Sequence, residues 1–213
     1  AERDNLSRVN DILKELEKQV GPLKEQSETA RKYLAFKNEL KKADIESINL
    51  WHHREIRTAT INDLEAVAAV EAECFPAAEA ATKEEFAERI KFYGDHFWLM
   101  FDADKLISFV DGFVTDEADL TDEMYEKAEL HNEHGAWQMI FGVNTIPACR
   151  RHGYAGELIC RAIQDAKKQG RKGLVLTCKD RLVPYYAKFG FVNEGVSDSA
   201  HGNVVWNQMR LIL

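Results

Sequence analysis

The chain has 213 residues, 45% hydrophobic and 30% charged, enough for one good-sized domain with an appendage and too few for two full domains. Its formal net charge is −8, and since residues 1–50 hold ten acidic and ten basic side chains, the excess of 26 acidic over 18 basic falls entirely in residues 51–213, a poor partner for nucleic-acid backbones. No apolar run is long enough to span a bilayer and no secretory leader pattern is visible, while Cys74, Cys149, Cys160 and Cys178 fit neither a zinc site nor a disulfide framework; the expectation is a cytoplasmic protein with reduced thiols.

Residues 2–46 read as helix. Leu6, Val9, Leu13, Leu16, Val20 and Leu23 alternate at spacings of three and four, the a/d seam of a coiled coil. Gly21-Pro22 interrupts the helix or shifts its register, and Tyr33, Phe36, Leu40 and Ala43 resume the pattern. So narrow an apolar face needs a partner helix, from the same chain or from a second copy in a homodimer. The segment resembles the proximal coiled-coil arm of bacterial SMC proteins, without the Walker A loop that an ATPase would need. The domain division expected is a helical segment over 1–47, a junction over 48–53 and an α/β domain over 54–213.

From Arg54 the period changes. Residues 55–59 alternate like a half-buried strand, and a helix capped by Asn62 or Thr60 follows, ended by Phe75-Pro76. Thr82-Lys83-Glu84-Glu85 is a capping-box signature for a second helix to about Lys91. Strands are expected over 97–101 and 106–114, then a polar, acidic stretch over 115–133, then a buried strand over 137–143. A helix over 153–169 with Gly170 at its C-terminal cap, a strand over 173–178, a short helix over 183–189 and strands over 191–194 and 204–211 complete an α/β fold with a central mixed sheet.

Arg150-Arg151-His152-Gly153-Tyr154-Ala155-Gly156 lies between a buried strand and an amphipathic helix. The unpaired N–H groups of a helix's first turn, aided by the helix dipole, are suited to a pyrophosphate, and close approach of the backbone demands small residues such as Gly153 and Ala155. Arg150 and Arg151 add positive charge. Through Arg150, Gly153 and Ala155 the stretch matches the [QR]-x-x-G-x-[GA] pattern of the GNAT N-acetyltransferase superfamily. Cys178, Leu182-Val183-Pro184, Tyr186 and Phe189-x-Phe191 further resemble the arylalkylamine (serotonin) N-acetyltransferases. The resemblance implies a GNAT fold over residues 54–213, acetyl-CoA as co-substrate, and a small-molecule amine as acceptor. It also implies that backbone groups of Phe141, Gly142 and Val143 meet the pantetheine and thioester, with residues 150–156 on the pyrophosphate.

The thioester is already activated, so the enzyme must orient a neutral amine, stabilise an oxyanion and protonate the leaving thiolate. Tyr186 is the expected general acid; Cys178, a strand residue, reads as an inert small hydrophobe rather than a nucleophile. The base is open. The family's two strand histidines are replaced here by Trp137 and Met139, which also puts an indoleamine acceptor in doubt. Candidates are His131, His134, His152, His201 and Glu73, with water chains through Gln138; His201, in a loop, is the first choice among them, and His131 and His134 read as solvated. Acceptor contacts are expected from Phe75 and the loop after it, with Glu73 or Glu79 holding a cationic amine. No metal site and no nucleic-acid or membrane partner is expected. Two other readings stay open: a CoA-binding module without catalysis, and a coiled-coil structural protein carrying this domain.

Overall fold

The computed structural model describes residues 54–76, 80–199 and 204–213, together with positions 14, 18, 28, 30–35 and 37–39. Contacts divide the chain into two units, Ala1–His52 and His53–Leu213. In the first, the described positions are all helical, and Tyr33 is 66% exposed. The seam residues from Leu6 to Leu23 lie outside the described residues, as do Phe36, Leu40 and Ala43.

The second unit begins with β1 (Arg54–Thr58), α1 (Leu64–Cys74) and α2 (Lys83–Tyr93). Next come β2 (Phe97–Asp102), β3 (Lys105–Asp111), β4 (Val114–Thr115) and the one-turn α3 (Glu123–Glu126). Then follow β5 (Trp137–Ile140), β6 (Gly142–Thr145), α4 (Tyr154–Lys168) and β7 (Gly173–Cys178). The chain closes with α5 (Val183–Ala187), β8 (Val192–Val196) and β9 (Asn207–Ile212). No helix among the described residues is long and apolar enough to cross a membrane.

Local chemistry explains the boundaries. A short 3-10 turn precedes α1, capped by Thr60, whose N–H and hydroxyl both donate to Asp63 Oδ2 at 2.8 and 2.9 Å. Arg57 donates twice to the same carboxylate, at 2.8 and 2.6 Å. Phe75 leaves α1 in extended conformation, φ −124° and ψ 150°. The capping box at α2 forms as its sequence implies: Glu85 N–H donates to Thr82 Oγ1 at 3.2 Å and Thr82 N–H to Glu85 Oε2 at 2.6 Å.

The strands form two sheets rather than one. An antiparallel sheet has the order β1-β2-β3-β6; a second has the order β4-β5-β7-β9-β8, with β5 and β7 its parallel pair. The single strand expected over 137–143 is thus two strands that serve different sheets. The cause is a bulge. Phe141 N–H donates to Asp111 O at 2.8 Å while Gly142 is the register partner of the same residue, so two residues oppose one and the strand bends.

Helices cover both faces of the first sheet. Adjacent residues of β2 point to opposite sides. Phe97 meets Phe86 of α2, ring centroids 6.2 Å apart, and Trp98 Nε1 donates to Asp165 of α4 at 3.0 Å. The α2 side carries the aromatic core, Phe86, Tyr93, Phe97, Phe109 and Phe113, all almost fully buried.

Candidate active site

β5 and β7 run together from Trp137↔Gly173 to Ile140↔Leu176. Beyond that point β6 pairs with β3, while Thr177 and Cys178 stay with β9. The two sheets therefore part between Phe141 and Thr177. Ile146 N–H donates to Ile107 O at 3.0 Å, which fixes the phase of the β3–β6 ladder. With alternation, Asp111–Gly142 and Phe109–Asn144 are the hydrogen-bonded pairs, and the N–H of Val143 points away from β3 toward the gap. Of the three residues expected to meet a thioester, Val143 presents its amide there, and the amide of Phe141 is already bonded to Asp111.

The loop after β6 delivers the chain to the start of α4. Arg151 and Gly153 both adopt left-handed backbone, φ 67° and 87°. The first intrahelical bond is Glu157 N–H to Gly153 O at 3.0 Å, and no side chain caps the helix. The amides of Tyr154, Ala155 and Gly156 therefore face outward without intrahelical partners, at the positive end of a 15-residue helix. A Cβ on Gly153 would meet nothing within 4 Å, so its φ is what selects glycine, whereas a Cβ on Gly156 would lie 3.0 Å from Phe189. Arg150 is turned back, Nε donating to Thr145 O at 3.0 Å. His152 stacks on Tyr154 at 5.5 Å, and Arg54 lies 5.0 Å over the same ring.

At the parting itself stand two tyrosines. Tyr186, on α5, is 6% exposed, with burial and the neighbouring Cys178, Tyr185 and Tyr125 pushing its phenol well above the usual range. Its phenol therefore stays protonated near neutral pH. Burial likewise pushes the Cys178 thiol up to about 11, which removes it as a nucleophile at neutral pH. Tyr125 comes from α3. Its ring lies 4.8 Å from Phe141, its hydroxyl 3.2 Å from Thr177 Oγ1, and burial pushes its phenol up to about 12. It spans the point where the sheets diverge. Its sequence neighbourhood is an acidic stretch, which gives no sign of this; the signal available was Met124-Tyr125 standing in a polar run.

The candidate bases separate clearly. His201 and Glu79 lie outside the described residues. Glu73, His134 and His152 are exposed, and Phe75 is half-buried. His131 is not solvated: its ring packs at a tilt against Tyr93 and His96, and burial holds its pKa below the usual imidazole value. Gln138 is buried too, donating to Phe113 O and Met139 O at 3.1 and 2.9 Å, so its Oε1 accepts from His96 Nδ1 at 2.7 Å. It is a structural tie, not part of a water chain.

His96, His131 and Glu133 bring three ligand-type atoms within 4.8 Å of one another, which raises the question of a metal. Proton placement argues against it. Val114 N–H donates to His131 Nδ1 at 3.1 Å, which leaves the ring proton on Nε2, aimed at Glu133 Oε2 at 3.3 Å. A metal would need the lone pair of that nitrogen. Arg171 completes the cluster, donating to Glu133 Oε1 at 2.9 Å. The set is a polar network in which the buried His96 and Arg171 meet the exposed carboxylate of Glu133.

One group that the sequence did not single out is Glu71. It lies two residues before Glu73 and on the opposite, buried face of α1, 6% exposed. Ala81 N–H donates to its Oε1 at 3.1 Å and Asn144 Nδ2 to its Oε2 at 2.7 Å. Desolvation, then the charge of Asp111, pushes its pKa up to about 7. Arg89 reaches Asp111 Oδ2 at 3.4 Å and the carbonyl of Tyr125 at 2.9 Å, linking this cluster to the parting of the sheets.

Known proteins share this fold. The model of the acetyltransferase (GNAT) family matches residues 64–191. The loading GNATL domain of CurA from Lyngbya majuscula superposes with a TM-score of 0.66 at 16% identity, over 75% of this chain and 97% of its own. The PaiA N-acetyltransferase of Thermoplasma acidophilum, solved in complex with coenzyme A, gives 0.57 at 18%, over 75% and 99%. The ribosomal-protein-S18-alanine N-acetyltransferase of Escherichia coli gives 0.56 at 16%, over 75% and 93%. At these identities the structures establish the fold, and the family model, spanning well over half the chain, establishes the kinship: the chain belongs to the acetyltransferase (GNAT) family.

Proposed function

We propose that residues 54–213 transfer an acetyl group from acetyl-CoA to a primary amine of a small molecule, by direct attack on the thioester. Family membership makes acetyl-CoA the co-substrate. The observation that carries the reading is the uncapped start of α4, held by left-handed Gly153 in the loop that follows β6. Pyrophosphate on the amides of residues 154–156 directs the pantetheine arm along β6, past the Val143 amide, to the parting where Tyr186 stands. Tyr186 then gives its proton to the departing thiolate. Phe75 and the acidic residues near the end of α1 border the acceptor.

Calorimetric titration with acetyl-CoA, on wild type and Gly153→Trp, tests this. Saturable binding by wild type and its loss in the variant, with thermal stability lowered by no more than about 1–2 kcal/mol from the positive φ, is the expected result. A folded wild type that binds no acetyl-CoA would sink the reading.

A further inference from the structure

The described histidines supply no base at the parting of the sheets, whereas β6 carries a buried acidic cluster, Glu71 against Asn144 and Asp111 opposite Gly142. Glu71 is placed where three elements meet: α1, the return of the chain into α2 at Ala81, and the bulged strand at Asn144. Asp111 is the bulge partner of Gly142, so close that a Cβ on Gly142 would sit 2.4 Å from Asp111 Oδ1. Arg89 of α2 faces the two carboxylates as their cation among the described residues. With both ionised the cluster would carry net charge −1, in a site where isolated charge is costly. Asn144 Oδ1 is buried and accepts no hydrogen bond, and Asp111 Oδ1 is buried with no well-formed bond, only the amides of Gly142 and of Asp111 itself lying against its carboxylate. Such orphan acceptors, beside an excess of negative charge, suit a donor that brings positive charge.

We propose that Glu71 is the proton acceptor for the incoming amine, with Asn144 and Asp111 as its positioning residues, and that the acceptor arrives as an alkylammonium ion. This rests on the acetyltransferase reading above. The ammonium gives one proton to the Glu71 carboxylate and becomes a neutral amine. The nitrogen lone pair forms the N–C bond at the thioester carbonyl, and the C–S bond breaks with its electron pair going to sulfur. The thiolate takes the Tyr186 proton, and the second proton lost by nitrogen restores the phenol through solvent. The products are the amide, CoA thiol and the proton on Glu71, which leaves to solvent before the next turnover.

Glu71 also has the affinity the task requires. A base works best when its pKa lies near the operating pH. Its titration is set first by its own burial, then by Asp111 on β3, the Ala81 amide ahead of α2, the neutral Asn144 on β6 and Arg89 on α2. Asp111 opposes ionisation and Arg89 favours it.

The test is the pH dependence of kcat and kcat/KM for acetyl-CoA with 2-phenylethylamine, spermidine and lysine, in wild type, Glu71→Gln and Glu71→Asp, beside calorimetric acetyl-CoA binding. Glu71→Gln should fold, because Asn144 can turn its amide over and accept from the new one. For wild type, the rate with at least one amine should rise about tenfold per pH unit below about 7 and then level. Glu71→Gln should keep acetyl-CoA affinity within about twofold, lose about 10²–10⁴-fold in kcat near neutral pH, and recover as pH approaches the amine's own pKa. Glu71→Asp should restore part of the rate. A Glu71→Gln variant within threefold of wild type and with the same profile would overturn the proposal. So would acetyl-CoA binding without turnover of any of the three amines, whereas absence of acetyl-CoA binding by wild type would overturn the acetyltransferase reading itself.

Discussion

Tyr186 shows how burial chooses a role for a single side chain. A phenol with a pKa raised by desolvation cannot serve as a base near neutrality, but it stays protonated across the whole working range and can donate to a thiolate. Tyr186→Phe removes one hydroxyl and keeps the ring contacts with Tyr185 and Phe191. It should therefore leave acetyl-CoA affinity and melting temperature nearly unchanged and lower kcat about 10²-fold, read by free-thiol release. An unaltered kcat would mean the thiolate leaves without help from this residue. Tyr186 was visible in the sequence because a motif surrounds it. Glu71 was not: Glu71 and Glu73 are equivalent as letters, and only the rotation of α1 decides which one is buried. His131 was misread for a related reason. Polar neighbours such as Asn132 and Glu133 suggest a solvated loop, yet Glu133 is the partner that lets the ring turn inward.

At the scale of elements, most helices and strands followed from their caps and periods. The capping box at Thr82, the stop at Phe75-Pro76 and the apolar run of β7 are local signals, and the structure places their boundaries where those signals stand. The exceptions are the strand expected over 106–114, which divides into β3 and β4 of different sheets, and above all the strand expected over 137–143. Its sequence is continuously strand-like, so nothing local marks the change of partner at Phe141; the bulge is set by Asp111, thirty positions away. Gly142 is the residue that permits it. An alanine there would drive a methyl group to 2.4 Å from Asp111 Oδ1, and Asp111 is held by Arg89 and cannot easily withdraw. Gly142→Ala should therefore destabilise the domain by about 1–3 kcal/mol in urea unfolding. It should also lower kcat more than acetyl-CoA affinity, since the bulge borders the thioester end of the site and not the α4 end. A variant as stable and active as wild type would show that β3 and β6 have more freedom than the close approach implies.

For the whole molecule, the period change at Arg54 and the composition shift around it suggest two units, and the contacts divide there as well. The proposed acetyltransferase site draws only on the second: the bulge, the start of α4, Tyr186 and the Glu71 cluster are all formed by residues after His53, and so is the aromatic core. The helical unit has a different need. The apolar seam expected from its sequence is too narrow to be buried without a partner helix, and a second copy of the chain is the simplest source. We propose that this unit self-associates and that the catalytic domain does not depend on it. A protein comprising residues 54–213 should therefore unfold cooperatively, bind acetyl-CoA within about twofold of the full chain, and scatter light as a monomer at all concentrations. The full chain should show a mass that grows with concentration toward that of a dimer. Loss of acetyl-CoA binding on truncation would make the helices part of the enzyme, and a monomeric full chain would leave the seam to an intramolecular partner.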